Sequence, residues 1–66
     1  MKNRISDVRR AQDLSQAALA RAVKVSRQSM NAIENDRHDP SVSLAFAIAR
    51  ALGTPITELF LEDSPQ

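Results

Sequence analysis

Apolar residues in this chain recur at helical intervals rather than in alternation. Ile5 and Val8 lie three apart with Leu14 just beyond, which predicts a first helix over roughly residues 3–12. Ser15 is a good N-cap, and Leu19, Ala20 and Val23 give a second helix, over roughly residues 16–22, an apolar stripe whose alanines allow close approach. A break at Lys24 follows. Ser26 then caps a third helix in which Met30 and Ile33 repeat, ending near Asn35. The polar string Asp36-Arg37-His38-Asp39-Pro40 reads as a loop. Leu44, Ala47, Ile48, Ala51 and Leu52 mark a fourth helix, stopped by Gly53 at a position suited to left-handed backbone. Thr54 as N-cap, with Pro55 at the first helical position, predicts a fifth helix over residues 56–60. Apart from a short candidate at residues 60–62, no strand pattern is present. The expected fold is all-α, a compact five-helix domain spanning residues 1–66, with an acidic tail at 62–66.

The second and third helices, over about residues 15–35, carry the chemistry. They are joined by a tight turn and have unlike faces, the pattern of a helix-turn-helix unit. With Met30 and Ile33 committed to the core, Arg27, Gln28, Asn31 and Ala32 face outward. These types suit base edges in a major groove: Arg pairs with guanine O6 and N7, Gln or Asn with adenine N6 and N7, and Ala offers a methyl to thymine. Gln16, opening the second helix, stands where its amide and free backbone N–H groups can hold a phosphate. Arg37, just past the third helix, is placed to reach a neighbouring one. Lys24, Ser26, Ser29 and Asn35 are further phosphate-contacting candidates, with Arg9 in a secondary role.

Charge sharpens this picture. Residues 1–37 hold eight Lys and Arg against four Asp and Glu, while residues 38–66 hold one against four. The basic half would face phosphates. Two Phe are the only aromatic residues, so a stacking platform for single strands is missing, and duplex binding falls to helices and charge. The chain has no Cys, and its single His38 cannot assemble a metal site alone, so neither a metal nor a cofactor is expected. No apolar run approaches the roughly 20 residues that span a bilayer, and a cytoplasmic location is expected. An enzyme is the weakest reading, since neither a nucleophile triad nor a glycine-rich phosphate loop is present.

The string LSQAALARAVKVSRQSMNAIENDRHDPSVSLAFAIARALGTPITELF resembles the Xre (Cro/C1-type, lambda-repressor-like) helix-turn-helix family, particularly its short members built from the DNA-binding domain alone. The resemblance covers roughly residues 4–60. Its most specific pieces are Leu14-Ser15-Gln16, Ser26-Arg27-Gln28, Ile33-Glu34-Asn35 and Pro40-Ser41. It implies a phosphate-binding role for Gln16, base-facing roles for Arg27, Gln28, Asn31 and Ala32, and an ion pair between Arg9 and Glu34. It also implies homodimers on partly palindromic double-stranded DNA, acting as transcriptional regulators and more often as repressors. The chain departs from the family pattern in three places. Lys24 stands where Gly is common in the turn, Ala18 replaces the capping-box Glu, and Asp36 occupies a loop position that often carries Gly.

A domain of this size has marginal stability by itself, and without disulfides the expected supplement is self-association. Phe46 falls off the stripe of Leu44, Ile48 and Leu52, and an exposed Phe in so small a domain suggests a covered surface. Phe46, Leu59 and Leu61 are therefore the candidates for a dimer interface, with burial inside the monomer the competing reading. An interaction module, such as an antitoxin paired with a toxin protein, is the alternative function.

Overall fold

The computed structural model describes residues 2–61. Along the chain these form β1 (Lys2–Asn3), α1 (Ile5–Ala11), α2 (Gln16–Ala22), α3 (Arg27–Glu34), α4 (Val42–Leu52), α5 (Ile56–Leu59) and β2 (Phe60–Leu61). The expected acidic tail at 62–66 lies outside the described residues.

The helix starts follow from local chemistry. Ser15, Ser26 and Ser41 each sit in extended backbone, and the hydroxyl of each accepts from the N–H three residues on. Four helix ends share one geometry. Asp13, Lys24, Asp36 and Gly53 adopt left-handed backbone with φ of 56°, 63°, 61° and 59°. The N–H of the following residue reaches back five positions in each case: Leu14 to Arg9, Val25 to Ala20, Arg37 to Ala32 and Thr54 to Ala49. This is the Schellman closure, which satisfies last-turn carbonyls and turns the chain sharply. Only one of the four positions is Gly, so the other three carry a Cβ where L-residues are strained.

Ile5, Leu19, Met30, Ile33, Ile48, Leu52 and Leu59 make up most of a single core, with Ala20 and Ala49 filling the close approaches. Val8, Leu14, Val23, Val25 and Leu44 pack around it. Every helix contributes, so no helix is held by propensity alone.

The two ends of the described chain differ from expectation. Helix α1 begins at Ile5, because residues 2 and 3 pair antiparallel with residues 61 and 60. The Arg4 N–H continues this link by donating to Leu59 O at 2.7 Å. The strand candidate near residue 60 thus has a partner that hydrophobic spacing could not reveal, since two residues are too short to show alternation. Thr54 does not cap α5. Its hydroxyl instead donates to Leu52 O at 3.0 Å, Pro55 takes the N-cap position without a side-chain bond, and Phe60 has left the helix for β2.

Candidate nucleic-acid interface

Three residues, Val23 to Val25, separate α2 from the Ser26 cap of α3. The left-handed Lys24 provides the reversal, and Val25 packs back against the core. The two helices therefore meet at a fixed angle with their apolar faces inward. On α3, Met30 and Ile33 are buried at 0% and 1% exposure, which points the opposite arc outward. Arg27, Gln28 and Asn31 are exposed and Ala32 is half-buried. Together they span an arc of about 140° at 100° per residue, enough to face a groove edge over the helix's first turn and a half.

Ser26 does two things at once. Its Oγ accepts from the Ser29 N–H at 3.0 Å and donates to Ser29 Oγ at 3.0 Å. Asn35 folds its Nδ2 back onto Asn31 O at 2.8 Å, closing the end of α3. Lys24, Asn35 and Arg37 are all exposed around the rim of this surface.

Behind the exposed arc lies a buried polar cluster. Arg9 Nε donates to Glu34 Oε2 at 2.9 Å and its Nη2 to Glu34 Oε1 at 3.1 Å, while Nη1 donates to Leu14 O at 2.9 Å. The side chains are 9% and 4% exposed. This bidentate pair ties α1 to the last residue of α3. Removing one partner would strand a buried charge, at a cost of about 3–5 kcal/mol. With 8% of its surface exposed and all three guanidinium nitrogens donating within the protein, Arg9 serves as a structural residue, which leaves the secondary phosphate role expected of it without support here.

Gln16 belongs to the same cluster. Its Nε2 donates to Glu34 Oε1 at 3.1 Å. Because a carboxylate only accepts, this bond fixes which way the amide faces. The half-buried Gln16 side chain lies at the start of α2, where Ser15 Oγ already accepts from the Ala18 N–H. The Gln16 amide is thus braced from behind by the ion pair.

A second feature lies away from this surface. Phe46 is 48% and Val42 73% exposed, and one turn of α4 separates them. With Ile56, Phe60 and Leu61 they line an open groove of ≈400 Å³. Of the three residues expected at a dimer interface, Phe46 and Leu61 line this groove. Leu59 does not, being 0% exposed in the core, and it drops out as an interface residue. Val42, Ile56 and Phe60 were not singled out from the sequence, although Val42 four residues before the off-stripe Phe46 was a visible signal. Among the described residues no cluster of His, Asp or Glu could hold a metal ion, and no helix is long and apolar enough to cross a membrane.

Two short helices at a fixed angle, the second capped, outward-facing and polar, define a helix-turn-helix DNA-binding domain. Residues 5–59 match the helix-turn-helix family model HTH_3, and the chain belongs to this family, of the Xre or Cro/C1 type. It is similar to an uncharacterized HTH-type transcriptional regulator of Methanocaldococcus jannaschii, with 39% identity over 66 residues and all of both chains covered. It is also similar to the immunity repressor protein of Bacillus phage phi105, at 36% identity over 92% of this chain and 42% of that protein. Among solved structures, the restriction-modification controller protein C.AhdI from Aeromonas hydrophila superposes with a TM-score of 0.81 at 30% identity, covering 86% of each chain. The protein is a transcriptional regulator with a helix-turn-helix DNA-binding domain, and its named relatives are regulators rather than enzymes.

Proposed function

We propose that this protein is a repressor that binds a palindromic operator as a homodimer, with α3 of each copy in successive major grooves about 34 Å apart. One observation carries the reading: Arg27, Gln28 and Asn31 are exposed together on the capped end of α3, opposite fully buried Met30. In this reading Arg27, Gln28, Asn31 and Ala32 read bases, whereas Gln16, Lys24, Ser26, Ser29, Asn35 and Arg37 hold phosphates and set register. The likeness to a phage immunity repressor supports the sign of regulation. The groove around Phe46 supports the dimer, because so small a domain gains stability by covering an apolar face.

Selection of bound duplexes from a randomised DNA pool at near-physiological salt tests the proposal. A recovered palindrome with half-sites one helical turn apart is expected. A folded protein that enriches no sequence would overturn it.

A further inference from the structure

Asn3 lies in neither the helix-turn-helix nor the groove, yet it is bonded to both regions. Its main chain stands opposite Phe60 in the two-stranded ladder, and Phe60 and Leu61 line the groove. Its side chain points to the far end of α3. Nδ2 donates to Ile33 O at 2.8 Å and to Asp36 Oδ1 at 3.1 Å, and Oδ1 accepts from the Ile5 N–H at 3.1 Å. Ile33 is the last core residue of α3, and Asp36 is the left-handed residue that ends it. Every polar atom of the amide is engaged, so its orientation is fixed from both sides.

A continuous path therefore runs from the groove through β2 and β1 into Asn3 and on to the end of α3. The Arg9–Glu34 pair orients α3 within one copy, against α1 and α2. The Asn3 clasp orients α3 against the strand pair. We propose that Asn3 is a positioning residue that sets the recognition helix relative to the dimer face, and so sets the separation of the two recognition helices. This rests on the dimeric DNA-binding reading above. By twofold symmetry any slack at this joint enters the spacing twice. The two operator half-sites, held at fixed separation on the duplex, penalise that slack, whereas an isolated half-site does not.

Asn3→Asp separates the clasp from its neighbouring role, because the new carboxylate still accepts from Ile5 N–H but cannot donate to Ile33 O or Asp36. The probes are the full duplex recovered by selection and a duplex carrying one half-site. Relative to wild type, we expect roughly tenfold weaker binding of the full site, within the usual range of coupling between sites. Half-site affinity and the dimer dissociation constant, read by sedimentation without DNA, stay within about twofold, well below that coupling. Adding Asp36→Asn restores the bond at position 36 with donor and acceptor exchanged, leaves Ile33 O without its donor, and recovers part of the loss. Circular dichroism on the same samples reports the folded fraction, and Asn3→Ser serves if Asn3→Asp unfolds. Equal loss on half and full sites, no loss on either, or no recovery in the double variant overturns the positioning role alone. A wild-type protein that selects no duplex, or binds it only as a monomer, overturns the functional reading along with it.

Discussion

Lys24 is held at φ 63° in the turn between α2 and α3, and it lacks the short polar side chain that lets Asp13 and Asp36 tolerate similar backbone. Replacing it with Gly removes the Cβ clash at an exposed site. Lys24→Gly is expected to raise unfolding stability by about 1 kcal/mol in urea titration. If Lys24 neutralises one phosphate, the same variant lowers the slope of log K against log salt by about 0.9. A stabilised variant with an unchanged slope would remove Lys24 from the phosphate set. At the interface itself, two variants separate reading from holding. Arg27→Ala should cost about 1–3 kcal/mol and relax preference at one base pair per half-site, while Gln16→Ala should weaken all duplexes alike. A uniform loss from Arg27→Ala would exclude it from base reading.

Among the elements, α3 is eight residues long and owes its start to Ser26. Ser26→Ala forfeits both the cap and the bond to Ser29, and is expected to lower stability by about 1 kcal/mol in thermal unfolding. The helices were legible in the sequence where side-chain spacing and caps act locally, as at Leu19 and Val23, Met30 and Ile33, Ser15 and Ser26. The outward arc of α3 was legible for the same reason, since burying Met30 and Ile33 leaves Arg27, Gln28 and Asn31 no other direction. What spacing could not show was set by residues far apart in the chain. Strand β1 exists only because β2 lies beside it, and the Arg9 guanidinium is engaged by Glu34, 25 residues away in the chain, and by Leu14 O. Leu59 illustrates the limit in reverse. Its hydrophobicity near the chain end suggested an interface, but α5 is a single turn, and its one buried side chain completes the core.

For the whole molecule, the question is what covers the groove. Phe46→Glu places a charge on that exposed apolar face while leaving the core intact. It is expected to yield a monomer in sedimentation and to lose full-site affinity, with unchanged helicity. If the wild type dimerises as proposed, its melting temperature rises with protein concentration, and that dependence should vanish in the variant. A variant that still dimerises would place the interface elsewhere. The pairing of Lys2 with Leu61 adds a kinetic dimension. It closes a loop of nearly the entire described chain, and the entropy of bringing ends that distant together is about 3–4 kcal/mol, before any constant term. As a two-residue ladder joining the ends of the described chain, it is expected to fray before the core helices, so that its amides exchange with solvent ahead of those in α4. A second copy seated over Phe60 and Leu61 would hold the ring shut, so that assembly would finish what the single chain closes only loosely.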